Sequence, residues 1–172
     1  AACIGCISAQ SKRSGCIASH ARIRFTPTPE EIAGIAVPHL MKASRPIVSF
    51  GQGCEGEPLC NAETIEAAIR LIRAATRRGI INMNTNGSRP GAIRRLFAAG
   101  LDSIRISMHA VQQKVYLAYH KPRDYAFAEV IASFAAAHEA GKWASLNYLV
   151  LPGITDTPRE MKALEHLLKR RL

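Results

Sequence analysis

The stretch Ile80–Met108, IINMNTNGSRPGAIRRLFAAGLDSIRISM, decides the fold class of this sequence. It opens with an apolar run that ends in small polar residues, which is typical of a strand that runs into a loop. A helical segment follows over 90–99, with Pro at its start and Gly100 after its end. A second strand signal covers 103–108. A strand, a helix and a strand in this order predict a βαβ unit with parallel strands.

The same alternation extends to both sides of this unit. Further strands are predicted over 47–50 and 144–150, separated by segments with helical periodicity. The other helices are predicted to start near Thr28, Asn61, Val111, Asp124 and Thr157. Parallel strands that alternate with helices predict an α/β fold, either an open doubly wound sheet or part of a (β/α) barrel. In both architectures, ligands bind at the carboxyl ends of the strands.

Three of the predicted helices carry more detailed expectations. Pro38 lies inside the first predicted helix and is expected to strain or end it. Asn61 is expected to cap the helix that follows it. The helix predicted over 124–140 carries Phe127, Ile131, Phe134 and His138 at helical spacing and is expected to end at Gly141.

The composition is that of an ordinary globular protein. Of 172 residues, 48% are hydrophobic and 21% are charged, which excludes disordered, collagen-like and low-complexity classes. No apolar run approaches the roughly 20 residues of a membrane helix, and the first residues do not form a signal peptide. We therefore expect a cytoplasmic protein without membrane contact. The start at Ala1, without Met, is expected to be a cut end.

The charge balance is strongly basic. Lysine and arginine number 23 against 13 acidic residues, which gives a net charge of +10. Such an excess is compatible with nucleic acid or another anionic partner. The basic residues are scattered, however, and the run Lys169-Arg170-Arg171 is interpreted as the solvated end of a helix. Charge alone does not select a function.

Polar residues follow each predicted strand. The loop over 51–58, GQGCEGEP, combines three glycines, which let backbone approach a ligand, with two carboxylates that can meet an ammonium group. Asn86 follows the next strand, Ser107 and His109 follow the third, and Asn147 lies in the fourth. Each of these alone is typical of a helix cap, a surface residue or a core amide. Four polar strand ends in succession predict a binding site.

The first residues carry a C-x-x-C pair, Cys3-Ile4-Gly5-Cys6. Such pairs occur in zinc sites, redox dithiols and iron–sulfur ligand sets. A redox dithiol should open a helix, whereas a loop of about twenty residues follows here. A zinc site would need two further ligands, for which Cys16 and His20 are candidates.

Together these motifs resemble the radical S-adenosylmethionine (radical SAM) enzymes. That family carries C-x3-C-x2-C after the first strand of a partial (β/α) barrel, and Cys3 and Cys6 match its second and third cysteines. Gly56-Glu57-Pro58 matches the family segment that holds the amino group of SAM. The other positions that the resemblance implies for SAM binding are Asn86, Ser107 and Asn147.

The resemblance implies a [4Fe–4S] cluster on Cys3 and Cys6, an electron donor, and reductive cleavage of SAM. The 5′-deoxyadenosyl radical so formed would abstract hydrogen from a substrate that the sequence does not identify. The first family cysteine would stand two residues before Ala1. We therefore expect residues 1–172 to be a single radical SAM core domain, cut at its N-terminus, that lacks the first and sixth strands. Such a chain is expected to hold the cluster poorly and to be inactive as it stands.

The alternative interpretation is a zinc-stabilised nucleic-acid-binding module with a basic surface. Its zinc ligands would be Cys3, Cys6, Cys16 and His20. This alternative predicts stoichiometric zinc and salt-dependent nucleic-acid binding, whereas the radical SAM interpretation predicts iron and formation of 5′-deoxyadenosine. Neither interpretation assigns a role to Cys54 and Cys60.

Overall fold

The computed structural model describes residues 3–4, 23–52 and 56–169. The strands in this part are β1 (Ile47–Phe50), β2 (Ile80–Thr85), β3 (Ser103–Ser107) and β4 (Trp143–Asn147). The helices are α1 (Pro29–Lys42), α2 (Ala62–Ala75), α3 (Pro90–Ala99), α4 (Gln113–His120), α5 (Phe127–Glu139) and α6 (Pro158–Lys169), and a 3-10 turn spans Pro58–Asn61. Among the described helices, none has both the length and the apolar character that crossing a membrane requires.

The four strands form one parallel sheet in the order β1-β2-β3-β4. Each strand pairs with its neighbour in sequence through a helical connection, which confirms the predicted βαβ units. The strands lie side by side in the same order as in the sequence, whereas a doubly wound sheet reverses its strand order at one point. The connecting helices pack in succession, α1 on α2, α2 on α3 and α3 on α5. This arrangement is that of a partial (β/α) barrel.

Alternate strand residues give the sheet an apolar and a polar face. On the apolar face, Ile81, Met83, Ile104 and Ile106 are completely buried under the helices. Burial of each of these side chains contributes about 2 kcal/mol to folding. Polar residues such as Asn82 occupy the intervening positions and face away from the helices.

Helix α1 begins with a capping box, at the predicted start near Thr28. The Thr28 hydroxyl accepts a hydrogen bond from the Glu31 N–H at 3.2 Å, and the Thr28 N–H donates to the Glu31 carboxylate at 2.8 Å. The helix continues through Pro38 to Lys42, so Pro38 does not end it. Proline removes one backbone N–H donor from the helix. The helix nevertheless continues because Leu40, beyond Pro38, is completely buried and packs the last turn against the core.

One other helix detail differs from the predictions. Asn61 precedes α2, but its side chain makes no capping hydrogen bond, because its backbone (φ −114°, ψ 31°) lacks the extended geometry of a capping residue. In α5, His138 shares the helical spacing of Phe127, Ile131 and Phe134 but is exposed. Phe134 is buried, and Phe127 and Ile131 pack against the core.

Candidate functional site

The carboxyl ends of the strands lie at one edge of the sheet, because the strands are parallel and in register. Thr85 near the end of β2 pairs with Ile106 of β3, and Ser107 of β3 pairs with Asn147 of β4. The loop after β1 reaches the same edge through Glu57, whose carboxylate bonds to the end of β2. The structure thus brings together the loops and strand ends that the sequence indicated. The binding roles assigned to their side chains stay predictions.

The Glu57 carboxylate joins the loop after β1 to the end of β2. Its Oε1 accepts hydrogen bonds from the Thr85 hydroxyl at 2.5 Å and the Leu59 N–H at 3.1 Å. Its Oε2 accepts the Asn86 N–H at 2.7 Å. Thr85 is itself buried and accepts the Gly87 N–H at 3.1 Å. Hydrogen bonds to a carboxylate are short and strong, so this Glu57 anchor fixes both loops.

The pKa of Glu57 predicts how stability depends on pH. Burial raises the pKa of this carboxyl above its ordinary value of 4.5, against the lowering effect of the hydrogen bonds from Thr85, Asn86 and Leu59. The folded state therefore holds the proton more tightly than the unfolded chain, and the free energy of unfolding should fall as the pH rises from about 4.5 through the folded pKa. Urea unfolding at a series of pH values measures this slope.

The variant Glu57→Gln should flatten that slope, since it removes the titrating group. The control is Glu63→Gln, which makes the same substitution at an exposed carboxylate and shows whether the change in slope is specific to Glu57. An identical pH dependence in the wild-type chain and Glu57→Gln would contradict the assignment.

The other predicted binding residues lie at the ends of β2, β3 and β4. Asn86 uses its side-chain oxygen locally, where it accepts the Ser88 N–H at 2.9 Å. Ser107 is half-buried and Asn147 is exposed, and the Asn147 carbonyl accepts the Met108 N–H at 3.2 Å. The Ser107 hydroxyl and the Asn147 amide make no hydrogen bond within the described part of the chain, so both are open to a ligand.

A cavity of about 340 Å³ lies beside the Glu57 anchor. Gly56, Glu57 and Pro58 line its polar side, and Phe25 and Ile65 supply apolar surface. Its volume and mixed lining are those of a small-molecule site.

Cys3 lies beside the segment over 108–126 that connects β3 to α5. Its Sγ is 3.5 Å from Nδ1 of His120, and Nε2 of His120 accepts a hydrogen bond from the His109 N–H at 3.3 Å. The next residue, Ile4, donates its N–H to the Tyr119 carbonyl at 3.1 Å. His109 follows the end of β3 closely. These contacts therefore place the Cys3 thiol at the edge of the sheet where the carboxyl ends of the strands lie, here called the carboxyl edge.

Aromatic rings surround His120. Its ring stacks on Tyr116, with centroids 4.1 Å apart and 14° between the planes, and lies 4.7 Å from the ring of His109. Burial lowers the pKa of His120 to about 3, with His109 as a second cause. Burial also lowers the pKa of His109. Among the described residues, Nδ1 of His109 is a buried side-chain atom without a hydrogen-bond partner, although the residue as a whole is half-buried.

Sequence reasoning also missed the polar face of the sheet next to this edge. The Asn82 amide lies 2.8 Å from the hydroxyls of both Ser49 and Ser103, and Arg105 Nε donates to Asn84 Oδ1 at 3.1 Å. No carboxylate in the described part of the chain pairs with Arg105. The signal was present in the sequence, because polar and apolar residues alternate along β2 and β3 with the period of a strand.

Several predicted ligands lie outside the described residues. They are Cys6, Cys16 and His20, and Cys54, to which neither interpretation assigns a role, lies there too. Cys60 is an exposed free thiol on the 3-10 turn. Within residues 3–4, 23–52 and 56–169, no group of three or more His, Cys, Asp or Glu side chains could hold a metal ion. A metal site at Cys3 would therefore draw further ligands from outside this part.

The sequence model of the Radical SAM superfamily matches residues 2–164. The dual-specificity RNA methyltransferase RlmN of Phenylobacterium zucineum is 32% identical over 120 residues, which are 66% of this chain and 31% of that protein. The RlmN of Stenotrophomonas maltophilia is 29% identical over 144 residues, which are 78% of this chain and 34% of that protein. The chain thus spans about a third of the length of the curated relatives it matches.

Two solved structures share the fold. A radical SAM methyltransferase from Sphaerobacter thermophilus has a TM-score of 0.61 at 22% identity, over 86% of this chain and 46% of that one. HydG, a maturase of the [FeFe]-hydrogenase, has a TM-score of 0.61 at 18% identity, over 91% of this chain and 35% of that one. These likenesses confirm the partial barrel, and the superfamily match favours the cluster interpretation over the zinc-binding module. The chain belongs to the radical SAM superfamily, whose members are enzymes that use a [4Fe–4S] cluster and SAM.

Proposed function

We propose that this chain forms the cofactor-binding core of a radical SAM enzyme, with Cys3 and Cys6 as cluster ligands and SAM along the carboxyl edge. The position of Cys3 carries the proposal. Its contact with His120 sets the sulfur at the same edge of the sheet as the Glu57 anchor and the ends of β3 and β4. A cluster and SAM that act together need a thiolate and polar groups at one edge. We propose that residues 1–172 form one core domain.

The described residues fit these cofactors chemically. Cys3 is a half-buried cysteine, and thiolates are the usual ligands of iron–sulfur clusters. The exposed free thiol of Cys60 also agrees with the reducing cytoplasm, where we propose that the protein works. The buried Nδ1 of His109 has no partner among the described residues. A polar group of bound SAM would provide one, and an unmet buried group costs about 1–3 kcal/mol.

Glu57 is proposed to meet the ammonium group of SAM while it anchors the loops. An ionised carboxylate accepts hydrogen bonds at about four positions. Thr85, Asn86 and Leu59 occupy three of them. An ammonium donor would fill the remaining position, and its positive charge would favour the ionised form of the buried carboxylate.

Asn86, Ser107 and Asn147 are proposed to bind the ribose hydroxyls and the carboxylate of SAM, since amides and hydroxyls match both groups. When bound and reduced by an electron donor, the cluster supplies the electron for the family reaction, the cleavage of SAM to methionine and a 5′-deoxyadenosyl radical. The protein's own part is to hold both cofactors at one edge, orient them and keep water away.

We further propose that the substrate is an RNA. The RlmN relatives are named RNA methyltransferases. The net charge of +10 attracts a phosphodiester backbone. Arg105 adds an exposed cation on the polar face, which no carboxylate among the described residues neutralises.

Anaerobic reconstitution with iron and sulfide tests the proposal. It is carried out on the chain and on a version extended by Cys-Ala before Ala1, which completes the C-x3-C-x2-C spacing. We expect the extended chain to show broad iron–sulfur absorbance and to form 5′-deoxyadenosine from SAM and dithionite. The unextended chain should take up less iron. Stoichiometric zinc without iron in both versions would instead establish the zinc-binding alternative.

A further inference from the structure

The contact between Cys3 and His120 has a defined hydrogen-bond direction. Nε2 of His120 accepts the His109 N–H at 3.3 Å, so this nitrogen carries a lone pair and no proton. The imidazole is therefore neutral, and its single proton lies on Nδ1. Nδ1 is the atom 3.5 Å from the Cys3 sulfur. His120 thus faces the sulfur as a donor.

We propose that His120 is a positioning residue for the cluster ligand Cys3. Its Nδ1–H donates a hydrogen bond to the sulfur, which orients the thiolate and raises the reduction potential of the cluster bound to it. Hydrogen bonds to cluster sulfurs tune the potential in this way, because the reduced cluster carries more negative charge than the oxidised one. The inference rests on the proposed function, since it requires Cys3 to be a ligand.

The surroundings of His120 hold its ring in place. The residue is 1% exposed, and its ring stacks on Tyr116. The Tyr116 hydroxyl lies 3.1 Å from the hydroxyl of Tyr125, which fixes Tyr116 in turn. Helix α4 ends at His120, and Lys121 turns the chain away with a φ of 45°. A buried ring that is stacked on Tyr116 and held at the end of α4 keeps its donor directed at the sulfur.

The first test reads the tautomer of His120 in the metal-free chain. Two-bond 1H–15N correlation spectra distinguish the Nδ1–H from the Nε2–H tautomer, and we expect the Nδ1–H form. Cys3→Ala should shift the Nδ1 resonance, whereas Cys60→Ala, which removes an exposed thiol, should not. An Nε2–H tautomer, or an Nδ1 resonance that does not respond to Cys3→Ala, would overturn the proposal.

The second test measures the reduction potential of the reconstituted, Cys-Ala-extended chain. His120→Asn keeps an amide donor near the place of Nδ1, whereas His120→Gln moves its amide toward the place of Nε2. At a fixed potential, we expect His120→Gln to lower the ratio of reduced to oxidised cluster about tenfold, which corresponds to a fall of about 59 mV. His120→Asn should restore most of this change. Equal potentials in the wild-type and Gln proteins would refute the tuning role.

The two tests separate this inference from the proposed function. A cluster that binds but keeps its potential in His120→Gln leaves the proposed function in place and removes the inference. If no version takes up a cluster, the proposed function fails and the inference fails with it. Backbone 1H–15N spectra of both His120 variants show whether they are folded, and the tautomer measurement needs no His120 variant.

Discussion

Replacing Cys3 with alanine is expected to abolish cluster binding in the Cys-Ala-extended chain. Cys3 supplies one of the three thiolates of the completed motif, and its half-buried sulfur faces the donor Nδ1 of His120. Loss of a partner of a metal ligand already lowers affinity about 10–100-fold, so loss of the ligand itself should cost at least as much. Iron and acid-labile sulfide per chain should fall at least about tenfold, and formation of 5′-deoxyadenosine should fall with them.

The matched control is Cys60→Ala in the same chain. Cys60 is a free cysteine, but it is exposed on the 3-10 turn, and its removal should leave the iron content unchanged. The comparison distinguishes a specific ligand from adventitious iron on any accessible thiol. Equal iron loss in both variants, or none in Cys3→Ala, would remove Cys3 from the ligand set.

Gly51→Ala is expected to be strongly destabilising and to disturb the carboxyl edge. Gly51 has a φ of +73°, and an added Cβ would lie 2.2 Å from the carbonyl oxygen of Asn84 and 3.0 Å from Pro58. Strain of the left-handed backbone costs about 1–2 kcal/mol, and overpacking adds about 1–3 kcal/mol. The melting temperature should fall by about 10 °C.

Gly141→Ala separates the two costs. Gly141 also has a positive φ, +61°, but an added Cβ would meet no atom within 4 Å. Only the backbone strain should remain, about 1 kcal/mol and a fall of about 3 °C in the melting temperature. The excess loss in Gly51→Ala then measures the clash with β2. Equal melting temperatures for the two variants would show that the backbone at the end of β1 moves to accommodate the added methyl group without a loss of stability.

The sequence predicts much of the fold because its local signals agree. In the unit over 80–108, a strand pattern, an initiating Pro90 and a terminating Gly100 all indicate the same boundaries, and α3 spans Pro90–Ala99 as expected. The predictions fail where local signals compete. Pro38 argues against a helix that the burial of Leu40 maintains, and in α5 His138 shares the helical spacing of Phe134 but is exposed.

The site is predictable only in part, since its contacts join distant residues. Strand patterns place Ser107 and Asn147 at strand ends, and parallel strands bring those ends together. By contrast, Cys3 and His120 are separated by 117 positions, and no periodicity links them. The Glu57 anchor shows the same limit. A sequence motif marks Glu57 itself, but only the fold reveals that Thr85 and Asn86 hold its carboxylate.

The strands pair in the order of the sequence, so each contacts only its neighbours, as in a stack of repeats. We therefore expect local stability to decrease from the central strands to the outer strands. The central strands β2 and β3 have a neighbour on each side and alternate buried residues, whereas β1 and β4 each have one neighbour in the described sheet and no fully buried residue. Opening fluctuations should therefore start at the two outer strands and move inward. A ligand that contacts both Glu57 and Asn147 would connect the two sides of the sheet. Because it binds only the folded sheet, its binding free energy would reduce the opening of β1 and of β4.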